Sequence, residues 1–267
     1  MDLHEGFRDP ALAEADELIG FLEAVDRMPG AGSSASRSAR WMARVPGMRL
    51  LDAGCGIGLE TQRLAALHPG LSVTGLDRNG ELLDHARRST LANLEWVEAD
   101  LTALELPERS FDLIRAERVL MYLPSPAFER ALDDLIALLR PGGRLALFEL
   151  DYGATMLVPG KTPAAVVERA GIALSAALPQ PWAGRRLPHL LSERGLADVT
   201  GTPISFSVSE PVWRRIVHQT LLQLDAGICA WLDEQEQAAA RGEFVTAFTG
   251  VLSTGRRGRF PARSAAR

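Results

Sequence analysis

The chain has 267 residues, of which 46% are hydrophobic and 24% are charged, a composition typical of soluble globular proteins with a sizeable core. The net charge of −5 argues against an electrostatic nucleic-acid binder, and no apolar run approaches the roughly 18 residues that a membrane span needs. Two cysteines and five scattered histidines argue against a disulfide framework or a metal centre, and the polar N-terminus predicts a cytoplasmic protein without a signal peptide.

The first 45 residues are predicted to be helical. Asp9 followed by Pro10 is a helix-start signal, because Asp accepts from free backbone N–H groups and Pro is tolerated at the first helical position. Apolar residues then recur at helical spacing as far as Val25, and a second helix is predicted from about residue 36 to residue 43. We expect residues 1–45 to form a helical lid.

From Arg49 to Asp151 the pattern changes to an alternation of strands and helices. Short apolar runs predict the strands, and the segments between them predict helices, including Leu59–Leu67, a helix capped by Asn79 and a helix that opens at Ser125. This alternation indicates a parallel sheet covered on both faces. The five predicted strands are RLLDAG, LSVTGLD, LEWVEAD, FDLIRAE and RPGGRLALFELD.

The segment 152–257 is less regular. It is predicted to hold two helices, a strand in ADVTGTPISFSVS, a helical apolar stripe from Trp213 to Trp231, and a final strand in FVTAFTGVLSTGRR. The stripe must bury its apolar face, so we predict that it packs with the N-terminal helices over a ligand pocket. The alternative is burial in an interface between copies of the chain.

No repeat or long linker divides the chain. We therefore predict one domain over residues 1–267, with a ligand-binding core at 49–151 and an arginine-rich tail at 258–267.

The stretch RLLDAGCGIGLET places Gly54, Gly56 and Gly58 between a predicted strand and a predicted helix. Such a turn presents backbone N–H groups and the positive end of a helix to an anionic or polar ligand. Glycine lets that ligand approach the backbone without a Cβ in the way. The dinucleotide fingerprint would need glycine at position 59, where this chain has Leu, but a dinucleotide protein remains an alternative on this motif alone.

Acidic residues end three consecutive predicted strands: Asp52, Asp77 and Asp100. An acid at the end of the second strand accepts hydrogen bonds from both hydroxyls of an adenosine ribose; the alternative is an Asp that caps a turn or helix. After the third strand, Asp100 and Leu101 stand where a carboxylate and a backbone N–H recognise adenine. Together the three strand ends predict an adenosine site at one edge of the sheet.

Four segments in succession resemble the motifs of class I S-adenosylmethionine-dependent methyltransferases: LLDAGCGIG, GLD, VEADLTALELPERSFDLI and LRPGGRLALFELD. Within that family the chain is similar to the broad group of ubiquinone/menaquinone-type enzymes and bacterial small-molecule methyltransferases. The resemblance covers about residues 49–151. It implies a Rossmann-like, doubly wound α/β fold whose seven-stranded sheet is mostly parallel with a reversed last strand.

The resemblance also implies the ligand. S-adenosylmethionine would lie with its methionyl part against the glycines, its ribose on Asp77 and its adenine near Asp100. The expected cofactor contacts are Asp52, Gly54, Cys55, Gly56, Gly58, Asp77, Arg78, Asp100, Leu101, Glu117 and Arg118.

The expected reaction is methyl transfer to carbon, nitrogen or oxygen of a small organic acceptor in bacterial secondary metabolism. In-line displacement needs alignment and a dry site, and a base only when the nucleophile must lose a proton. Asp151 and Tyr152 are the predicted catalytic residues, and the predicted acceptor contacts are Tyr122, Trp182, His189 and Trp213. The alternatives are a protein that binds the cofactor without transferring methyl, as a cyclase or binding module, and a nucleotide-dependent oxidoreductase.

Overall fold

The computed structural model describes residues 3–28, 46–154, 161, 163–208, 210–222 and 226–258. The helix predicted near residues 36–43 and the tail from residue 259 lie outside the described residues. The strands span Arg49–Ala53 (β1), Ser72–Asp77 (β2), Leu94–Glu98 (β3), Phe111–Glu117 (β4), Leu139–Leu150 (β5), Ala197–Ser207 (β6) and Ala247–Arg256 (β7).

The seven strands form one sheet in the order β3-β2-β1-β4-β5-β7-β6. Neighbouring strands from β3 to β5 pair in parallel, and β7 runs antiparallel to both β5 and β6. The Rossmann-like, mostly parallel sheet with a reversed last strand is therefore confirmed.

Helices cover this sheet. They span Leu3–Arg8 (α1), Ala15–Asp26 (α2), Leu59–Leu67 (α3), Gly80–Ala86 (α4), Ser125–Leu138 (α5), Ala164–Ala176 (α6), Ala183–Glu193 (α7), Glu210–Leu222 (α8) and Ala226–Ala240 (α9). Short 3₁₀ turns lie at Pro10–Leu12, Leu120–Tyr122 and Tyr152–Ala154. None of the helices described combines the length and apolar character that a bilayer crossing requires.

Local sequence explains where two of these helices begin. Asn79 caps α4, since its side-chain oxygen accepts from the backbone N–H groups of Glu81 and Leu82. Helix α5 has Pro126 in its first turn, where a missing N–H loses no helical bond. Its apolar face, including Phe128 and Leu132, is fully buried.

The apolar stripe predicted after β6 belongs to α8 and α9. The ring of Trp213 on α8 meets that of Trp231 on α9 edge-on, with centroids 5.7 Å apart. Helix α8 also contacts α1 and α2, and Arg215 donates a 2.9 Å hydrogen bond to the carbonyl of Glu17. The stripe therefore packs with the N-terminal helices.

Parallel pairing places the carboxyl ends of β1, β2, β3 and β4 at one edge of the sheet. In open α/β sheets, ligands bind outside this edge. The glycine-rich turn follows β1 there, and α1 and α2 cross the same edge.

Candidate active site

One cavity opens at the carboxyl edge of the sheet, between the glycine-rich turn and the N-terminal helices. Three groups of residues line it: the loops after β1, β2 and β3; the turn after β4; and the inner faces of α1 and α2. Ten of the eleven predicted cofactor contacts line this cavity: Asp52, Gly54, Cys55, Gly56, Asp77, Arg78, Asp100, Leu101, Glu117 and Arg118. The structure thus brings the predicted cofactor residues together.

The glycine-rich turn has a backbone that glycine alone adopts readily. Gly54, Gly56 and Gly58 have φ angles of +74°, +54° and +72°, in the left-handed region where a side chain is strained. A Cβ on Gly54 would lie 2.3 Å from Val119, whereas one on Gly56 would meet only Leu22, at 3.1 Å. The backbone at Gly56 therefore stands open to the cavity beneath α2.

Gly58 does not line the cavity. A Cβ there would lie 2.2 Å from the indole of Trp96, so this glycine permits the start of α3 to pack against β3. Its role in the structure is close packing, and the prediction of a cofactor contact at Gly58 receives no support from the geometry.

Asp77 ties the end of β2 to the glycine-rich turn. One carboxylate oxygen accepts from the N–H of Gly56 at 2.8 Å, and the other accepts from the N–H of Asn79 at 2.9 Å. Burial raises the pKa of Asp77, while these backbone donors oppose the shift. Each oxygen has a second lone pair available for a ligand hydroxyl.

Arg78 and Asp100 form the next part of the wall. Arg78 donates to the carbonyl of Phe7 at 2.7 Å, which joins the cofactor edge to α1. Its guanidinium also lies 3.9 Å from the carboxylate of Asp100. Leu101 is buried beside them. This pair suits a flat aromatic ring with hydrogen-bond donors on its edge, because the side chain of Leu101 can pack against the ring and the carboxylate of Asp100 can accept from its edge.

A buried charge network lies beneath the cavity, next to the glycine-rich turn. Arg115 donates to Asp52 at 2.8 Å and to Glu117 at 2.7 Å, and Thr61 donates to the other oxygen of Asp52 at 2.6 Å. Glu117 is in turn 3.0 Å from the guanidinium of Arg118. Sequence reasoning missed Arg115, although an arginine within the apolar strand FDLIRAE is a signal, because a buried arginine needs acidic partners.

The turn after β4 is held from below by Glu149. This carboxylate is fully buried and accepts from the backbone N–H groups of Val119, Leu120 and Met121, at 3.0, 2.8 and 3.3 Å. Burial raises the pKa of Glu149 to about 7, despite the three donors that favour its ionised form. Glu149 therefore shapes the wall that presents Arg118 to the cavity.

The N-terminal helices close the cavity with apolar side chains. The ring of Phe7 packs against Tyr122 and Phe21, with centroid distances of 5.5 and 5.8 Å. At the end of α2, Asp26 forms an ion pair with Arg63 of α3. Both carboxylate oxygens of Asp26 contact the guanidinium, and Oδ2 accepts from Nη2 at 2.6 Å. Among the described residues, the cover over the site thus comes from α1 and α2, and none of the lining residues belongs to α8 or α9.

The predicted catalytic pair lies elsewhere. Asp151 accepts from Arg185 of α7 at 2.6 Å, and Tyr152 packs edge-on against Phe248 of β7 with centroids 5.7 Å apart. The chain turns away after β5, because the N–H of Asp151 bonds to β7 and the N–H of Tyr152 to the carbonyl of Pro181. Neither residue lines the cavity.

Of the four predicted acceptor contacts, the structure brings only Tyr122 to the cavity. Trp182 is 52% exposed on the outer surface beside α7. His189 lies on the exposed face of α7, 3.2 Å from Glu193. Trp213 is buried against Trp231. Apolar and aromatic residues occur both in the hydrophobic core and in ligand pockets, so the sequence alone did not distinguish core residues from acceptor contacts.

Comparisons with known proteins agree with this geometry. Residues 50–143 match a family described as a methyltransferase domain. The trans-aconitate 2-methyltransferase of Methylobacterium radiotolerans is 33% identical over 238 residues, which is 85% of this chain and 85% of that protein. The chain belongs to the class I S-adenosylmethionine-dependent methyltransferases. The narrower ubiquinone/menaquinone-type group stays a prediction.

Two further matches to this methyltransferase are less complete. The fatty-acid O-methyltransferase of Mycolicibacterium smegmatis is 36% identical over 103 residues, 38% of this chain and 36% of that protein; the chain thus spans well under half of some curated relatives. A solved structure of phosphoethanolamine N-methyltransferase 2 from Haemonchus contortus with S-adenosyl-L-methionine has a TM-score of 0.64 at 15% identity, covering 96% of this chain and 60% of that one. This likeness concerns the fold.

Proposed function

We propose that this methyltransferase transfers methyl from S-adenosylmethionine to a carboxylate oxygen of a small organic acid bound under α1 and α2. The observation that carries the proposal is that the predicted cofactor residues and an apolar wall from the N-terminal helices line the same cavity. A methyl donor and an acceptor must meet in one water-poor space.

The residues at the carboxyl edge fit the cofactor. Gly56 leaves backbone open to the cavity, which suits the methionyl part, and the Asp77 carboxylate retains lone pairs for the ribose hydroxyls. Asp100 and Leu101 suit the adenine. The acidic network around Asp52 suits a ligand with positively charged amino and sulfonium groups.

A carboxylate acceptor requires no general base. When bound, S-adenosylmethionine supplies a methyl group whose carbon–sulfur bond breaks, leaving its electron pair on sulfur, as the acceptor oxygen bonds to carbon. A carboxylic acid is already ionised near neutral pH, so no side chain has to remove a proton. Among the described residues that line the cavity, none is histidine or lysine.

The apolar side chains of the N-terminal helices have a role in this reaction. Phe7, Phe21 and Leu22 line the cavity opposite the glycine-rich turn and exclude water from the carboxylate and the methyl donor. A less hydrated carboxylate is a better nucleophile, since hydrogen bonds from water stabilise the anion and must be lost on attack.

The names of two relatives support an acid as acceptor. Trans-aconitate and fatty acids, after which these methyltransferases are named, are both carboxylic acids. Transfer to a carboxylic acid by this chain, and a place in bacterial secondary metabolism, are our proposals.

The test is transfer of radiolabelled methyl from S-adenosylmethionine to a panel of mono-, di- and tricarboxylic acids, with phenols and amines as comparison acceptors. We expect label in an organic-soluble product that mild alkali releases as methanol, as an ester requires. Label in an alkali-stable product would contradict oxygen transfer to an acid. Binding of S-adenosylhomocysteine without transfer to any acceptor would favour a binding or cyclase role, and binding of NAD instead would favour an oxidoreductase.

A further inference from the structure

The side of the cavity that faces away from the cofactor residues is mainly apolar. Its described wall consists of side chains from α1, α2 and the turn after β4, namely Phe7, Leu18, Phe21, Leu22, Val25, Val119, Tyr122 and Leu123. Such a wall suits a hydrocarbon or aromatic body, and the hydroxyl of Tyr122 is the one side-chain hydrogen-bonding group among these described residues.

Acidic groups outnumber basic ones in the same cavity. Six carboxylate side chains and three guanidinium groups line it: Asp26, Asp52, Glu60, Asp77, Asp100 and Glu117, against Arg78, Arg115 and Arg118. S-adenosylmethionine, with two positive groups and one negative, leaves a negative surplus. Each additional carboxylate on an acceptor is therefore repelled.

Two of the three arginines already donate hydrogen bonds to groups of the protein. Arg115 is 4% exposed, and its two terminal nitrogens donate to Asp52 and Glu117. Arg78 donates to the carbonyl of Phe7 and lies near Asp100.

Arg118 differs from both. Its side chain is 29% exposed, as is that of Arg78, whereas Arg115 is buried. Unlike Arg78, whose guanidinium donates to the carbonyl of Phe7, Arg118 has Glu117 as its one ion-pair partner among the described residues, at 3.0 Å. A guanidinium has five N–H donors, so it retains capacity for a carboxylate. Its backbone has a φ of +55°, an uncommon conformation for a residue with a side chain and one that occurs preferentially at binding sites.

The position of Arg118 sets it between the cofactor residues and the N-terminal helices. Its N–H donates to the carbonyl of Phe148 at 2.8 Å, and Glu149 holds the turn that follows it. On the other side, Arg118 lies close enough to Asp26 of α2 for its charge to act on that carboxylate. The pKa of Asp26 is lowered mainly by the hydrogen bond from Arg63, and the positive charge of Arg118 lowers it further.

We propose that Arg118 binds the carboxylate of the acceptor, and that the acceptor is an apolar monocarboxylic acid. This rests on the proposed function. The guanidinium pairs with one carboxylate through charge-assisted hydrogen bonds, and the apolar wall takes the body of the acid. A second or third carboxylate meets a lining in which carboxylates outnumber guanidinium groups. Esterification removes the negative charge, so the product loses its attraction to Arg118 and leaves.

The experiment compares octanoate and phenylacetate with trans-aconitate as acceptors for the wild-type chain and for Arg118→Gln. We expect the wild type to favour the monocarboxylates by on the order of a hundredfold in kcat/KM. Arg118→Gln should raise KM for them on the order of tenfold or more, because a charge-assisted hydrogen bond is lost. The turnover number should not fall, since the carboxylate charge decreases in the transition state and Arg118 stabilises the bound acceptor more than the transition state.

Two further variants separate binding from folding. Arg118→Lys keeps the charge and should recover part of the affinity. Arg256→Gln removes an arginine of similar exposure (31%) with one acidic partner, Asp198, at the opposite edge of the sheet, and should leave KM unchanged. The proposal assigns Arg118 to the acceptor in place of the cofactor contact expected from the sequence, so calorimetry should give all three variants the wild-type affinity for S-adenosylhomocysteine, and a loss confined to the Arg118 variants would overturn this assignment.

The inference and the proposed function fail in different ways. Equal use of trans-aconitate and octanoate, or an unchanged KM in Arg118→Gln, would overturn the inference while acid methylation stands. If the wild type methylates no acid, the proposed function fails. Octanoate binding to the S-adenosylhomocysteine complex, measured by calorimetry without turnover, still decides the role of Arg118: binding that Arg118→Gln abolishes supports it, and equal binding or none overturns it.

Discussion

The ring of Phe7 on α1 lies 5.5 Å from the ring of Tyr122, in the turn after β4. Both rings line the cavity, so this pair joins the N-terminal helices to the loop that carries Arg118. It closes the cavity on the side where we propose that the acceptor binds, by a contact between two aromatic side chains.

Phe7→Ala should weaken this closure. Loss of the aromatic contacts corresponds to about 1 kcal/mol, so we expect kcat/KM for the acceptor to fall several-fold to tenfold, with little change in the affinity for S-adenosylhomocysteine. Steady-state kinetics and calorimetry measure the two effects. Phe206→Ala, which removes a half-buried ring of β6 that contacts Phe148 outside the cavity, is the control. Equal losses of kcat/KM in both variants would mean that each acts by destabilising the fold and that the contact between Phe7 and Tyr122 has no specific role in acceptor binding.

Asp77→Asn should weaken cofactor binding by about 1–3 kcal/mol, because the ribose hydroxyls lose a charged acceptor. Titration calorimetry with S-adenosylhomocysteine gives the value. Asp84→Asn, at an exposed position of α4 paired with Arg87, should bind normally. Unchanged affinity in a folded Asp77→Asn protein would show that the ribose lies elsewhere.

Glu149 gives the fold a dependence on pH. Its pKa is raised to about 7 in the folded state by burial, above the ordinary value of about 4.3. The folded state therefore binds this proton more tightly than the unfolded state does. The stability associated with the proton is fully present below about pH 4.3 and is lost as pH rises through 7.

Comparison with Glu149→Gln isolates this effect, because Gln does not titrate. The difference in unfolding free energy between wild type and Glu149→Gln should shift against the wild type by about 1–3 kcal/mol from pH 5 to pH 8. Denaturant titrations at both pH values measure it. A difference that is constant with pH would mean that the pKa of Glu149 is the same in both states.

Asp151→Asn should affect stability more than catalysis. The variant weakens the ion pair with Arg185, whose side chain is half exposed, so we expect a loss of about 1 kcal/mol or less and a nearly unchanged turnover number. Thermal unfolding and kinetics on the same preparation test this. A large fall in turnover with unchanged stability would restore Asp151 as a catalytic residue.

Local patterns predicted the parts of the site that local geometry determines. The alternating Gly54, Gly56 and Gly58 predicted a turn open to a ligand between a strand and a helix, and the structure has that turn, with positive φ angles at all three glycines. Asn79 caps its helix as expected. Asp77 and Asp100 reach one edge because strands in a parallel sheet end together.

The remaining features depend on contacts between distant residues. Arg115 meets Asp52, 63 positions earlier, because β1 and β4 pair in a register that the sequence does not reveal. Asp151 turns away from the cavity because its backbone bonds to Thr249. Trp213 and Phe7 are both apolar helix residues, and only the packing of α8 and α1 separates a core residue from a cavity wall.

A crystal structure of the chain with S-adenosylhomocysteine and octanoate would show most directly where the two ligands bind. One cavity should hold both ligands: the ribose within hydrogen-bonding distance of Asp77, the homocysteine part against Gly54 and Gly56, and the carboxylate on Arg118 beneath Phe7. Octanoate bound instead beside Asp151 and Trp182, or S-adenosylhomocysteine bound away from the glycine-rich turn, would contradict the proposal that this cavity holds both ligands.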